Sequence, residues 1–166
     1  MDMNVNVSLR QLFLEDLKVI EGWYAQIKGA TYTSRFGPKN FNGRDANERE
    51  AYSWYIIQVN VRDCGVIWLE KEEKTDDVAY LGIMIGKTDY FGKGIGKKAI
   101  SLAISQSRQY LSFSKICLHV RKENTRAIRC YTTYGFYVSG EGEKSGSDGR
   151  KIEFLHMALD LNRVKY

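Results

Sequence analysis

Residues 91–97 read Phe91-Gly92-Lys93-Gly94-Ile95-Gly96-Lys97, and this glycine-rich stretch decides the fold of the chain. It follows an apolar run, residues 78–85, that is typical of a strand covered on both faces. Behind it, apolar residues recur at helical spacing as far as Tyr110. The stretch is therefore a strand-to-helix loop, in which glycines allow the chain to turn sharply and to approach a ligand closely.

A loop of this kind is suited to phosphate. Its amides lie at a helix N-terminus, where they lack helical partners and where the helix dipole favours anions. A Walker A loop needs a longer spacing than the one between Gly92 and Gly96, and the dinucleotide fingerprint fails because the third glycine comes too early. The loop by itself predicts an anion site, with a tight structural turn as the alternative.

The composition is that of a soluble globular protein. The chain has 166 residues, of which 43% are hydrophobic and 27% charged. This length suits one domain with a substantial core, and we predict a single domain over residues 1–166. No apolar run approaches the ~20 residues that span a bilayer, and the N-terminus lacks the features of a secretory signal. We therefore predict a cytoplasmic protein without membrane contact.

The charge points to a small phosphorylated ligand. The formal net charge is +5, and basic residues gather only at Lys87, Lys93, Lys97 and Lys98. A basic excess suits a polyanionic partner, but no long Lys/Arg run indicates a nucleic-acid arm. We predict a phosphate-bearing cofactor and no nucleic-acid partner.

The cysteines and histidines do not form a metal-binding pattern. No pair among Cys64, Cys117 and Cys130 has metal-ligand spacing, and His119 and His156 are the only histidines. We predict no metal, and we expect the cysteines to be small buried hydrophobic residues in a reducing compartment.

The periodicity of apolar residues predicts the remaining helices and strands. Their order predicts an α/β domain with a central mixed sheet flanked by helices. Helices are expected at residues 15–28, 94–110 and 124–134. Strands are expected at residues 5–10, 52–61, 65–70, 78–85, 115–120, 136–139 and 151–159. Arg62-Asp63 would form a hairpin turn, and the segments 32–47, 70–77 and 140–149 would be loops, the first with a short helix.

A second segment, residues 124–136, is what relates the glycine loop to a known family. It reads Asn124-Thr125-Arg126-Ala127-Ile128-Arg129-Cys130-Tyr131-Thr132-Thr133-Tyr134-Gly135-Phe136. Together the two segments resemble the GNAT superfamily of N-acetyltransferases. The phosphate loop of that family, Arg/Gln-x-x-Gly-x-Gly/Ala, is matched except at its first position, where Phe91 stands. The later motif, Asn-x-x-Ala-x-x-x-Tyr-x-x-x-Gly-Phe, is matched at every fixed position, and the resemblance covers roughly residues 64–160.

The resemblance implies a GNAT-like fold and an enzyme that transfers the acetyl group of acetyl-CoA to a primary amine of a small molecule or protein N-terminus. Tyr131 would be the general acid that reprotonates the departing thiolate, and Asn124 would contact the pantetheine or order the strand-helix junction. We expect Phe91 to cost some loop ordering without loss of binding. The pyrophosphate would be held by the amides of Gly92, Lys93, Gly94, Ile95, Gly96 and Lys97. The pantetheine arm would pair with the main chain of Ile83, Met84 and Ile85.

The general base is left open. The run 78–85 carries no carboxylate, and the nearby candidates are Asp76, Asp77 and His119. The two aspartates are also typical of a solvated turn, and His119 is as consistent with a structural histidine as with a proton relay. An amine with a pKa of ~10.4 is rarely neutral at pH 7, whereas making an α-amine neutral costs only ~1 kcal/mol. A missing base therefore favours an acceptor of lower pKa or proton loss through water.

The resemblance places the acceptor pocket in the N-terminal part of the chain. Aromatic faces there suit a cationic amine or a sugar ring, with core packing as the alternative for most of them. The candidates are Trp23, Tyr24, Tyr32, Arg35, Phe36, Phe41, Trp54, Tyr55 and Trp68. Five acidic residues could attract a polycation or form a solvated loop, namely Glu70, Glu72, Glu73, Asp76 and Asp77.

Three acceptor classes stay open. Ribosomal-protein N-terminal acetyltransferases are favoured first, aminoglycoside 6'-N-acetyltransferases second and polyamine acetyltransferases third. The alternative function is a non-catalytic acetyl-CoA-binding sensor or interaction module. A homodimer is an alternative to a monomer.

Overall fold

The computed structural model describes residues 5–26, 51–146 and 149–163. The described α-helices are α1 (Asp16–Gln26), α2 (Ile95–Ser107) and α3 (Thr125–Tyr134). The described strands are β1 (Val7–Gln11), β2 (Tyr52–Val59), β3 (Arg62–Glu70), β4 (Val78–Ile85), β5 (Lys115–Arg121), β6 (Tyr137–Ser145) and β7 (Lys151–Asp160). The described strands form one sheet in the order β1-β2-β3-β4-β5-β7-β6. Only β4 and β5 are parallel within it, so the predicted α/β fold with a mixed sheet is confirmed.

Each face of the sheet has its own core. Helix α2 covers one face, because Ile95, Ala99, Ile100 and Ala103 recur at helical spacing and are all buried. Helix α1 covers the opposite face through residues such as Ile20, in a second cluster. Strands β2 and β3 lie between the two layers, which explains their nearly continuous apolar sequences. The second cluster comprises Leu12, Ile20, Trp23, Trp54, Ile56, Val66, Trp68 and Met84.

Helix α3 begins and ends at the residues that its sequence indicates. The side-chain oxygen of Asn124 accepts a hydrogen bond from the amide of Ala127 at 3.3 Å, which caps the first turn. Gly135 ends the helix with a φ of 130°, and its amide donates to the carbonyls of Tyr131 and Thr132. The cap leaves Asn124 at the junction between β5 and α3.

The predicted turn between β2 and β3 is wrong by two residues. Arg62 and Asp63 belong to β3, and the turn is formed by Asn60 and Val61, with φ values of 50° and 61°. Asparagine tolerates this left-handed conformation well, and the side chain of Asn60 accepts a hydrogen bond from the amide of Asn6. The residue that indicates the turn is therefore Asn60 and not the charged pair Arg62-Asp63.

Strand β6 is longer than predicted. It continues to Ser145, whereas a loop was expected from residue 140 onward. Gly140 and Gly142 lie against the side chain of His156 in β7, and a Cβ at Gly142 would lie 2.9 Å from His156 Nε2. The glycines thus make room for a cross-strand neighbour and do not break the strand. The predicted irregular segment 32–47 lies outside the described residues.

Candidate functional site

The sheet opens between its two parallel strands. Strands β4 and β5 pair only at their beginnings, and the last register pair is Tyr80 with Cys117. Beyond that pair, β4 stays joined to β3 as far as Ile85, and β5 stays joined to β7 as far as Arg121. The two strands therefore part after Tyr80. Among the described residues, no strand pairs with the edge of β4 that carries residues 81–85, so its main-chain groups face a gap.

The glycine loop lies at the wide end of this gap. Gly92 and Gly94 both have a φ of 74°, and Gly94 is the N-cap of α2. A Cβ added at either glycine would meet no atom within 4 Å, so the space above the loop is open to a ligand. The amides of the first turn of α2 begin directly behind it. These residues fit a pyrophosphate, because unpaired amides at a helix N-terminus bind anions.

Phe91, the residue before the first glycine of the loop, has a cationic partner from α3. The guanidinium carbon of Arg126, in the first turn of α3, lies 3.4 Å from the centroid of the Phe91 ring. Both residues line the same cleft as the glycine loop. The contact brings a positive charge to the position where the family pattern has Arg or Gln.

One cleft of about 1130 Å³ joins the loop to the gap between β4 and β5. Every residue predicted to bind the cofactor, together with the predicted acid, lines this cleft. They are Ile83, Met84, Ile85, Phe91, Gly92, Lys93, Gly94, Ile95, Gly96, Lys97, Asn124 and Tyr131.

Tyr131 reaches the cleft from the buried face of α3. Its side chain is 8% exposed, and its ring packs edge-on against Phe136 with centroids 5.8 Å apart. Burial raises the pKa of the Tyr131 phenol well above its ordinary value, and the neighbouring Cys130 thiol adds to the shift. The phenol therefore stays protonated at neutral pH, which is the form that a proton donor needs.

The three candidate bases lie in different surroundings. Asp76 accepts a hydrogen bond from the amide of Glu73, and Asp77 accepts one from the hydroxyl of Ser114. Both aspartates fix the turn before β4 and lie outside the cleft lining. His119 does line the cleft, and burial lowers its pKa, with smaller contributions from His156 and Lys144. Its imidazole is thus neutral at pH 7 and able to accept a proton.

The prediction that Glu70 belongs to a solvated loop is wrong. Glu70 is the last residue of β3, is 6% exposed and lines the cleft. Its Oε1 accepts a hydrogen bond from Trp54 Nε1 at 2.8 Å. The signal that could have found it is its spacing from Trp68, since residues two apart on a strand share a face.

The aromatic candidates separate into a cleft wall and a core. Trp68 lines the cleft, and Trp54 stacks on it with centroids 4.2 Å apart and an interplanar angle of 8°. Trp23 is buried in the second cluster. Tyr55 is buried in the first cluster on the opposite face, which agrees with core packing, the alternative given for most of these aromatic residues. Tyr32, Arg35, Phe36 and Phe41 lie outside the described residues.

The described part of the chain carries neither a metal-binding cluster nor a membrane-spanning helix. No group of three or more His, Cys, Asp or Glu side chains among these residues could hold a metal ion. None of the described helices has the length and apolar character that crossing a membrane requires. Cys64, Cys117 and Cys130 are free thiols.

Comparison with known sequences identifies a family and curated relatives. Residues 17–136, more than half of the chain, match the acetyltransferase (GNAT) family. The chain is 31% identical over 97 residues to spermidine N(1)-acetyltransferase of Escherichia coli strain K12, which covers 58% of this chain and 50% of that protein. It is 35% identical over 57 residues to spermine/spermidine N(1)-acetyltransferase of Bacillus subtilis strain 168, covering 34% of this chain and 38% of that protein. The matched region therefore spans half or less of these curated relatives.

Solved structures show the same fold. Spermidine N-acetyltransferase from Vibrio cholerae, in complex with CoA and spermine, superposes with a TM-score of 0.77 at 22% identity, covering 95% of this chain and 96% of that one. Aminoglycoside acetyltransferase AAC(6')-Ib, in complex with coenzyme A, superposes with a TM-score of 0.69 at 20% identity, with the same coverage. The family match and the shared fold agree with the glycine loop and the parted strands, and the chain belongs to the acetyltransferase (GNAT) family.

Proposed function

We propose that the chain transfers the acetyl group of acetyl-CoA to a primary amine. The observation that carries the proposal is the single cleft in which the open glycine loop, the free edge of β4 and Tyr131 meet. The loop amides suit the pyrophosphate, and the unpaired main chain of β4 suits the amide groups of the pantetheine arm. Family membership supports the same assignment.

Acetyl-CoA supplies a thioester whose carbonyl carbon accepts the amine nitrogen. A C–N bond forms while the C–S bond breaks, and the sulfur takes a proton from Tyr131. The nitrogen loses one proton, which leaves through water or through the neutral imidazole of His119 and so restores the phenol. Because the pKa of Tyr131 is raised by burial, the phenolate is short-lived and the returning proton is taken up readily.

For the acceptor we propose a cationic small-molecule amine. The relatives named above act on spermidine and spermine, which supports a polyamine over a protein N-terminus. Glu72 and Glu73 also line the cleft, and an acidic rim attracts polycations. An aminoglycoside is the second candidate, because one structural neighbour acts on that class.

The experiment is thiol release from acetyl-CoA over a panel of amines, with the wild type and Tyr131→Phe. The panel contains spermidine, kanamycin and a peptide with a free N-terminus. We expect wild-type turnover with spermidine, and a loss of ~10²–10⁴ in kcat for Tyr131→Phe with CoA binding retained. Equal turnover of both proteins would refute the role of Tyr131. CoA binding without turnover of any amine would favour the sensor or interaction module.

We further propose that the chain acts in the cytoplasm, a reducing compartment that suits three free thiols. A single domain over residues 1–166 also stays a proposal. Sedimentation velocity distinguishes the monomer from the homodimer.

A further inference from the structure

His119 lies at the point where the sheet opens, on the face of the sheet that carries α1. Cys117 is the last residue of β5 that pairs with β4, and residues two apart on a strand share a face. Leu118, which lies between them in the chain, is buried in the core under α2 and so points to the other face. The side chain of His119 is partly exposed and lines the cleft, so it is open to a ligand.

The opposite wall of the gap is flat on this face. In a continued pairing of β4 with β5, Gly82 would lie opposite His119. Gly82 has no side chain, and the indole of Trp68 occupies the space that a Cβ there would need. On the α1 face the gap therefore runs between the imidazole on β5 and the indole that covers β4.

The predicted acid lies on the other face of the sheet. Tyr131 belongs to the core cluster under α2, is 8% exposed and packs against Phe136. A thioester in the gap would thus have a buried phenol on one side and an accessible imidazole on the other. Because the packed core blocks the buried side, an amine from solvent would reach the carbonyl carbon on the side of His119.

The surroundings of His119 keep its imidazole neutral at pH 7. The ring packs edge-on against the rings of His156 and Tyr80, with centroids 4.3 and 6.3 Å apart. Partial burial lowers the pKa of His119, and His156 and Lys144 lower it further. A neutral imidazole has a lone pair on one ring nitrogen, so it can accept a proton. The titratable and charged groups that face His119 from the strands around it are Glu70, Tyr80, Cys117, Arg121, Lys144 and His156.

Glu70 also faces this side of the sheet, but it lies further from the gap. It is on β3, and its register partner Tyr80 separates it from β5. His119 is on β5 itself, which borders the gap. Of the two, the imidazole is therefore the better placed to meet an amine.

Attack on the thioester makes the amine nitrogen acidic. The neutral amine forms a C–N bond, and its nitrogen carries a positive charge in the tetrahedral adduct. A nitrogen charged in this way loses a proton far more readily than a free ammonium, because the carbon to which it is bonded carries oxygen and sulfur. A base as weak as imidazole is therefore sufficient at this step.

We propose that His119 is the general base of the transfer and that the amine approaches from the α1 face of the sheet. The imidazole takes the proton of the amine nitrogen as the C–N bond forms. The C–S bond then breaks, and the sulfur takes a proton from Tyr131 on the other face. The imidazolium gives its proton to water and the phenolate takes one from water, so the protein is restored after each turnover. This inference rests on the proposed function and assigns the proton to His119 rather than to water alone.

The test is the pH dependence of acetylation between pH 5.5 and pH 8, for the wild type and His119→Gln. The acceptor is the amine of the panel above that the wild type turns over fastest, and the acetylated amine is quantified by mass spectrometry. We expect His119→Gln to lower kcat ~10²-fold or more at pH 8 and to leave the Kd of CoA unchanged. The ratio of the two kcat values removes the titration of the amine, which is common to both proteins. This ratio should be constant above pH ~6.5 and shrink below it, because a protonated imidazole cannot accept a proton.

His156→Gln is the companion variant, because His156 packs against His119 but does not itself line the cleft. The substitution removes a group that lowers the pKa of His119. The pH at which kcat begins to fall should therefore rise, while kcat at pH 8 should stay close to that of the wild type. A merely structural role of His119 does not predict such a shift.

A His119→Gln protein with the kcat and pH profile of the wild type would overturn the base and leave the transferase function intact. A loss of kcat in His119→Gln that is the same at every pH would do so as well. A wild type that acetylates no amine of the panel would overturn the transferase function, and the base with it. If His119→Gln does not fold, His119→Ala is assayed with imidazole in the buffer. An increase in acetylated amine that the wild type does not show supports the base, and no increase contradicts it.

Discussion

The guanidinium carbon of Arg126 lies 3.4 Å from the centroid of the Phe91 ring. Phe91 stands where the family pattern has Arg or Gln at the start of the phosphate loop. The positive charge is present nonetheless, because α3 supplies it from the other side of the cleft. The aromatic ring holds the guanidinium by a cation–π contact beside the open loop. Two residues thus replace one, and an anion held by the loop amides would have a cation nearby.

We predict that Arg126→Ala weakens CoA binding about threefold to tenfold, because an exposed cation beside a phosphate contributes modestly in water. The loss should shrink at high salt, since salt screens such contacts. The measurement is the Kd of CoA at low and high ionic strength. Arg108→Ala is the control, because Arg108 is exposed at the opposite end of α2. Equal affinities of the two variants would contradict a role for Arg126.

The role of the glycine loop can be tested with two glycine-to-alanine substitutions that strain the backbone to a similar degree. Gly94 and Gly149 have φ values of 74° and 80°, and a Cβ at either meets nothing within 4 Å. Alanine at each position should therefore cost a similar ~1–2 kcal/mol in the free energy of unfolding. Only Gly94→Ala places a methyl group in the space above the loop, so only it should weaken CoA binding, by about tenfold or more.

Urea unfolding and CoA titration of both variants check this prediction. A Gly94→Ala protein that binds CoA as tightly as Gly149→Ala would mean that the ligand does not use the loop.

The sequence predicted the parts of the site that local rules determine. The glycines that begin α2 and the Asn124 cap of α3 are both turn chemistry within a few residues. The recurrence of Ile95 and Ala99 shows the buried face of α2 directly. The resemblance implied that Tyr131 is the general acid, which stays a prediction, and its side chain lines the cleft.

The parts that depend on pairing between distant residues were not predictable. Glu70 is buried beside Trp54, which is 16 residues away and adjacent only through the register of β2 and β3. The predicted turn between those strands was misplaced by two residues, and a charged residue at a strand end looks like part of a loop. The contact between Phe91 and Arg126 likewise needs the glycine loop and α3 to be placed next to each other.

His119 should make the stability of the protein depend on pH. Burial lowers its pKa below the ordinary value of about 6.5, and His156 and Lys144 lower it further. Between the folded and the ordinary pKa the unfolded chain binds more protons, so stability is fully present above pH ~6.5 and falls as the pH falls through that window. We predict that His119→Gln loses less stability than the wild type between pH 7.5 and pH 5.5.

Urea unfolding at the two pH values measures the difference. His156→Gln is the companion variant, since it removes one of the charges that lower the pKa of His119 and should reduce the pH dependence in part. An identical pH dependence in His119→Gln and the wild type would show that another group controls it.

The last prediction concerns a cluster of hydroxyl groups, buried at Ser53, Tyr55 and Ser107 and exposed at Tyr110, that ties β2 to the C-terminal end of α2. The Tyr55 hydroxyl is 2.6 Å from that of Tyr110 and 2.7 Å from that of Ser53, and Ser53 is also 2.7 Å from Ser107. Tyr55→Phe removes the hydrogen bonds of this hydroxyl with Ser53 and Tyr110, while Ser53 and Tyr110 still bond each other at 2.7 Å, so we expect a loss of ~0.5–1.5 kcal/mol in the free energy of unfolding.

Tyr137→Phe is the control for the hydroxyl cluster, because its hydroxyl donates to Asp160 at the surface, where water replaces the lost partner. It should change the free energy of unfolding by less than ~0.5 kcal/mol. Urea unfolding of both variants gives the comparison, and CoA titration should show no change in either, since the cluster lies at the far end of α2 from the glycine loop. A Tyr55→Phe protein as stable as Tyr137→Phe would mean that the network is dispensable and that apolar packing alone holds α2 on the sheet.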